Sequence, residues 1–124
     1  MSQDQTGEPS VSEVMAIAEF RAALRRFLRT SERVARHSRL TPQRYLLLLM
    51  IKGSPDGREQ STVTELVSRA EEVGLIEREQ SADDARVAHL RLTAEGDRRL
   101  MLSVTELANE RAQLAAAIAH LEGV

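Results

Sequence analysis

Hydroxyl side chains and an arginine lie close together in the middle of the chain. Residues 63–73 carry apolar side chains at helical spacing, and polar side chains fall on the other side of that segment. Five residues form the candidate set: Ser61, Thr62, Thr64, Ser68 and Arg69. Hydroxyls and arginines on a helix surface can hydrogen-bond phosphates or base edges. The alternative interpretation is that they cap the helix and line a solvated surface.

Two segments of alternating polarity, 75–79 and 87–92, follow this helix and predict a β-hairpin. Asp84 and Arg86 lie in the loop between them, and Arg86 at the tip could enter a narrow minor groove. Alternatively, the two form a surface salt bridge worth little. A short polar-faced helix followed directly by a hairpin is typical of a winged helix, whose helix enters the major groove of DNA.

Capping signals predict where these helices begin and end. Thr41-Pro42 begins a helix that is apolar almost all round to Lys52, and such a helix is expected to be buried on most sides. The glycines and proline of 53–57 predict a loop. Ser61 or Thr62 is expected to cap the next helix, with Glu65 closing a capping box with Thr62, and Gly74 is expected to end it.

The N-terminal part of the chain predicts a polar, disordered tail over 1–10 and then one long amphipathic helix. Ser10 or Ser12 would cap this helix, which ends near His37–Ser38. Residues 21–44 carry eight arginines and one acid, Glu32, a local charge of +7. Such a segment suits a phosphate backbone or an acidic partner, and the alternative is a solvated helix face. His37, Arg44 and Tyr45 could line a pocket for an anionic aromatic ligand, unless Tyr45 belongs to the core.

A last helix, capped by Thr93, carries a 3.5-residue repeat over three heptads. The repeat includes Arg111 and six apolar residues: Leu100, Val104, Leu107, Leu114, Ile118 and Leu121. A single helix cannot bury such a stripe, so it packs on another helix of this chain or of a second copy. For so small a domain the second copy is favoured, which predicts a homodimer with these six residues at the interface.

Composition excludes several classes of function. The chain has 124 residues, a net charge of −2 and no cysteine, so a disulfide frame and a zinc ribbon are excluded. The three histidines lack metal-ligand spacing, and Asp83 and Asp84 lie at a hairpin tip rather than in a pocket that would desolvate them. We therefore expect neither an enzyme nor a cofactor. No apolar run reaches membrane-spanning length and no signal peptide is evident, which predicts a cytoplasmic protein.

Three motifs in order resemble the MarR family of winged helix-turn-helix transcriptional regulators. They are the run from Leu40 to Tyr45 before the apolar helix, the stretch from Val67 to Arg78, and a wing pattern, Asp84-x-Arg86 followed by Leu92-Thr93-x-x-Gly96. The resemblance covers residues 12 to the end. It implies a mainly α fold with a small β-hairpin wing, a single domain over 11–124, dimerisation helices at 11–38 and 94–124, and a DNA-binding region at 41–93.

The resemblance also implies a function. Members bind pseudo-palindromic promoter sites as homodimers, most simply as bacterial repressors, and many release double-stranded DNA when a small aromatic or anionic effector binds. Carried over, Asp84 would orient Arg86 on DNA. The sequence departs from the family between Lys52 and Ser61, where the pattern expects the first helix of the helix-turn-helix and the residues carry no helical run. That departure keeps a rival open, namely a dimerisation or interaction module with an incomplete DNA-reading head.

Overall fold

A computed structural model describes residues 7–62, 64–80, 83 and 87–124 of the chain. In chain order it contains α1 (Val11–His37), α2 (Pro42–Lys52), β1 (Arg58–Thr62), α3 (Glu65–Glu72), β2 (Ile76–Gln80), β3 (Val87–Leu92), α4 (Ala94–Glu106) and α5 (Ala108–Glu122). The strands form one antiparallel sheet in the order β1-β3-β2. The predicted fold class, mainly helical with a β-hairpin wing, is confirmed.

Contacts divide the chain into two compact units. The first comprises the N-terminal part up to Ser31 together with Glu106–Val124, and the second comprises Glu32–Thr105. The interior of the second unit is aliphatic, as expected from an aromatic content of 2%. Its fully buried large side chains come from α2, the sheet, the segment before it and α4: Leu48, Ile51, Leu75, Ile76, Leu90 and Leu100.

Capping explains the helix boundaries that the sequence predicted. The amide of Glu13 donates to Ser10 Oγ and the amide of Ser10 donates to the Glu13 carboxylate, which makes a reciprocal capping box before α1. Thr41 Oγ1 accepts the amide of Arg44 at the start of α2. Thr93 Oγ1 accepts the amide of Gly96 at the start of α4. The predicted start sites of all three helices are confirmed.

The strand β1 corrects the interpretation of residues 58–62. Ser61 and Thr62 were expected to begin a helix, yet both lie in β1, where they face Ala88 and Val87 of β3. Pairing satisfies the backbone groups of β3 on its second edge, which would otherwise be an open strand edge. The helix begins after Thr64, whose Oγ1 accepts the amide of Val67. The predicted capping box of Thr62 and Glu65 is therefore wrong.

Helix α2 is less buried than its composition predicts. Tyr45, Leu48 and Ile51 are buried in the second unit. On the other side of the helix, Leu46, Leu49 and Met50 are exposed by 56%, 40% and 60%. The expectation of burial on most sides is wrong for the single chain, because one apolar face of α2 is left uncovered.

The C-terminal heptad pattern does not form one continuous helix. Leu107 has φ −94° and ψ 7°, outside helical geometry, and it separates α4 from α5. In the first unit, the buried apolar residues are Leu107 and three alanines, Ala16, Ala23 and Ala117. His120 Nδ1 lies 2.8 Å from the Glu19 carboxylate and joins α5 to α1 there.

No helix in the described part of the chain has the length and apolarity needed to cross a membrane.

Candidate nucleic-acid interface

The short helix α3 follows β1 and precedes β2 along the chain. Its residues Val67 and Ala70 are buried, and the helix contacts α2 and β2. It ends at Glu72, and Gly74 just beyond it has φ +80°, which allows the chain to reverse into β2. The described residues between α2 and β2 contain this single helix, with eight residues.

The polar side of α3 is occupied by contacts within the chain. Ser68 is half-buried, and its Oγ accepts a hydrogen bond from Arg78 Nη2 at 3.2 Å. The same guanidinium lies 2.9 Å from the Glu71 carboxylate. Arg69 is exposed but pairs with Glu65 one turn earlier at 2.8 Å. A DNA contact by Ser68 or Arg69 would therefore have to displace or share these partners.

The electrostatics of α3 are unfavourable for phosphate. The helix carries Glu65, Glu71 and Glu72 against Arg69 alone. A phosphate backbone repels carboxylates, and Glu72 has no ion pair among the described residues, unlike Glu65 and Glu71. Sequence reasoning selected the hydroxyls of this helix and did not weigh these glutamates, although they are visible in the sequence.

On the solvent-facing side of the sheet, arginines form ion pairs with glutamates of another strand. Arg58 of β1 lies 3.0 Å from Glu79 of β2, and Arg91 of β3 lies 3.1 Å from Glu77. With Arg78 and Arg69 also paired, each arginine described in α3 and the sheet has a carboxylate partner. These exposed ion pairs add little stability, but they neutralise the charge on this surface of α3 and the sheet.

The other residues predicted to contact DNA are either used as a helix cap or have side chains outside the described part of the chain. Thr64 uses its hydroxyl as the N-cap of α3. Asp84 and Arg86 lie outside the described residues, as do the side chains of Ser61 and Thr62. Their proposed contacts with DNA stay predictions.

The predicted effector residues are not brought together around one described groove. Tyr45 is buried with 7% exposure, and His37 is exposed. Arg44 lines a groove with four residues of α3, namely Glu65, Ser68, Arg69 and Glu72, and with Val73 just after the helix. Tyr45 thus packs in the core, which is the alternative that its sequence position left open.

The candidate dimer residues differ in how far a single chain buries them. Leu100 and Leu107 are fully buried in their own chain. Val104, Leu114 and Leu121 are half-buried, and Ile118 is exposed. Additional apolar residues of the first unit are exposed on α1: Val11, Val14, Met15, Ile17 and Leu28.

Unpaired cations lie on α1 and just after it. Their side chains have no carboxylate partner among the described residues: Arg21, Arg25, Arg26, Arg29, Arg33, Arg36 and Arg39. The positive segment that the sequence indicated is thus a set of exposed, unpaired guanidinium groups.

Metal ligands do not cluster in the described part of the chain, where no three His, Asp or Glu side chains are grouped so that they could hold a metal ion.

The Leu-Thr-x-x-Gly pattern joins the wing to α4. The amide of Thr93 donates to the carbonyl of Leu75, and the Thr93 hydroxyl donates to the carbonyl of Gly74. Gly96 packs so closely on Leu75 that a side chain there would overlap the Leu75 carbonyl. The motif therefore has a structural role, which fixes the sheet against the start of α4.

Comparison with solved structures identifies the fold. No protein-family model and no curated protein matches the sequence. AbsC, a MarR family transcriptional regulator from Streptomyces coelicolor, aligns with a TM-score of 0.61 and 18% identity over 88% of this chain and 82% of AbsC. Sco3205, a MarR family transcriptional regulator from the same organism solved in complex with DNA, aligns with a TM-score of 0.62 and 21% identity. The alignment covers 86% of this chain and 76% of Sco3205.

A third neighbour is a mutant MarR from E. coli complexed with operator DNA, with a TM-score of 0.61 and 16% identity over 82% of this chain and 84% of that one. At such identities the likeness concerns the backbone arrangement. The chain has the winged-helix fold of MarR-family transcriptional regulators.

Proposed function

We propose that the chain is a cytoplasmic, non-enzymatic transcription regulator of the MarR family that binds double-stranded DNA as a homodimer. The observation that carries the proposal is the shared fold, since two of the matching structures contain DNA. The unpaired arginines support it, because a DNA-binding protein needs cations that are not already neutralised.

The homodimer is supported by the apolar surface of the first unit. Val14, Ile17 and Leu28 are exposed on α1, and Ile118 is exposed on α5. The buried residues of this unit are mostly alanines, which bury little apolar area. A second copy would cover the exposed side chains and supply the missing burial. Repression would follow from occupying a pseudo-palindromic promoter site.

The test is a titration of a fluorescent duplex from the upstream region of the chain's own gene. Anisotropy is recorded at two salt concentrations, with a random duplex of equal length as control. The proposal expects tighter binding to the upstream duplex, weakened by salt. Equal affinity for both duplexes would contradict sequence-specific regulation. Sedimentation on the same samples measures whether the bound species is a dimer.

An effector remains part of the proposal. Arg44 borders an open groove beside α3, so an anion bound by its guanidinium would lie next to the candidate DNA-reading helix. Salicylate is a suitable probe, with benzyl alcohol as its uncharged control. We expect salicylate to weaken duplex binding in wild type and not in Arg44→Gln.

A second candidate is an interaction module that pairs with a longer relative. It is favoured by the presence of one eight-residue helix in the described stretch between α2 and β2, and by the glutamates on that helix. Affinity purification of the tagged chain, followed by intact-mass analysis, distinguishes the two. Recovery of the chain with a longer winged-helix protein, together with absence of DNA binding by the chain alone, would support the module.

A further inference from the structure

The turn between α1 and α2 concentrates positive charge without a partner. Residues 33–44, here named the α1–α2 corner, contain Arg33, Arg36, Arg39 and Arg44 and no acid. None of the four is ion-paired to a described residue. Elsewhere in the second unit, the arginines of α3, the sheet and α4 each have a carboxylate partner. Among the described residues of this unit, the unneutralised arginines therefore lie in the corner.

The backbone of the corner is fixed by buried contacts. Val34, Ala35 and Leu40 are buried, and the amide of Leu40 donates to the carbonyl of Ala35 at 2.8 Å. Ser38 and Ser103 are both buried, and their hydroxyls hydrogen-bond at 2.9 Å, which ties the corner to α4. The cations thus project from a rigid base, so little backbone order is lost when they bind an anion.

The arginines themselves point outward. Arg33, Arg36 and Arg39 are exposed, and the amide of Arg39 donates to the carbonyl of Arg36, which brings these two residues into one tight turn. Arg39 has φ +62°, a left-handed conformation that is uncommon for a side-chain-bearing residue. Neighbouring cations repel each other, and a polyanion that neutralises them removes that repulsion.

We propose that the α1–α2 corner, rather than α3, provides the main contacts with the DNA phosphate backbone. This inference rests on the proposed function and assigns the affinity to residues outside the predicted DNA-contacting set. Each guanidinium neutralises a phosphate and releases its counterions, a contact that is independent of base sequence. Any reading of base sequence would then fall to α3 and to the predicted contact of Arg86.

The experiment compares salt dependence in three full-length proteins. The corner variant carries Arg33→Gln, Arg36→Gln and Arg39→Gln. The control variant carries Arg58→Gln, Arg91→Gln and Arg98→Gln, three exposed arginines that are ion-paired to Glu79, Glu77 and Glu95. Both variants lose three positive charges, so a difference between them cannot come from net charge. Circular dichroism and thermal unfolding verify that each is folded.

The slope of log K against log salt concentration for the upstream duplex is the measured quantity. At about 0.9 per phosphate contact, the corner variant should lose about 3 from the magnitude of the slope for each bound copy, or about 5 for the homodimer, with Kd raised more than tenfold. The control should lose less than 1. Equal slopes in wild type and the corner variant would overturn the corner assignment while leaving DNA binding intact. Absence of DNA binding by wild type would overturn both proposals. Competition by poly-glutamate as strong as that by DNA would assign the corner to an acidic protein instead.

Discussion

The hydroxyl of Thr93 donates a 2.6 Å hydrogen bond to the carbonyl of Gly74, the residue at which the chain turns out of α3 and into β2. The same oxygen accepts the amide of Gly96 at 3.0 Å. One side chain thus links the end of the candidate DNA-reading helix to the start of α4. Since the amide of Thr93 also donates to the carbonyl of Leu75, the junction is held at three points.

Replacing Thr93 by Val tests this junction. Valine has nearly the same shape, so the change removes the hydroxyl and leaves the carbonyl of Gly74 and the amide of Gly96 without their partner. We expect the free energy of unfolding to fall by about 2 kcal/mol in urea denaturation. Thr93→Ser should retain most of the stability. Thr105→Val, at an exposed position of α4, is the matched control, and a loss as large there would contradict a special role for Thr93.

Gly96 should tolerate no side chain. An Ala Cβ there would overlap the backbone carbonyl of Leu75, and neither backbone can move without disturbing the junction. Although Ala is ordinarily the better helix former, we expect Gly96→Ala to destabilise the protein by about 1–3 kcal/mol. Gly123→Ala provides the comparison, because a Cβ there meets only ordinary contacts. The idea is refuted if the two variants unfold at the same urea concentration.

Arg39 lies in a left-handed conformation that glycine adopts without steric cost. We expect the free energy of unfolding of Arg39→Gly, measured by urea denaturation, to exceed that of Arg39→Ala by about 1 kcal/mol. The alanine variant removes the same charge and keeps the unfavourable conformation, so charge cancels in the comparison. An alanine variant as stable as the glycine variant would show that the left-handed turn costs nothing here.

The sequence predicted this protein well wherever a local signal and the tertiary structure agree. Ser10, Thr41 and Thr93 cap the helices they were expected to cap, because a capping hydroxyl acts on amides within three residues. The hairpin strands β2 and β3 were predicted from alternation of polar and apolar residues. These signals need no knowledge of distant contacts.

The errors arise where distant contacts decide. Residues 58–62 carry no hydrophobic alternation, and β1 forms because β3 offers a free edge nearly 30 residues further along the chain. Leu107 belongs to a regular heptad pattern, yet it interrupts the helix, and periodicity alone does not report such a break. In the candidate site, Ser68 was identified as a polar surface residue, but its bond to Arg78 depends on how β2 lies against α3.

Glu95 should make stability depend on acid pH. The guanidinium groups of Arg98 and Arg99 hydrogen-bond its carboxylate and lower its pKa from 4.5 to about 2. The folded state therefore favours the charged form, and this contribution is present above pH 4.5 and is lost as the pH falls towards 2. We expect the urea midpoint of wild type to fall more than that of Glu95→Gln between pH 5 and 2.5. Parallel pH profiles would contradict the pKa shift, and Glu106→Gln is the control.

Glu72 should weaken DNA binding, if α3 approaches the duplex as the proposed function requires. It is exposed on α3, and unlike Glu65 and Glu71 it has no ion pair among the described residues. A carboxylate about 10 Å from a phosphate in water costs about 0.4 kcal/mol, so Glu72→Gln should tighten binding about twofold at low salt. The gain should disappear near 0.3 M salt, where screening is strong. Glu122→Gln changes the net charge equally at the end of α5 and should leave Kd within error. If both variants tighten binding alike, the effect is one of overall charge and α3 does not approach the DNA.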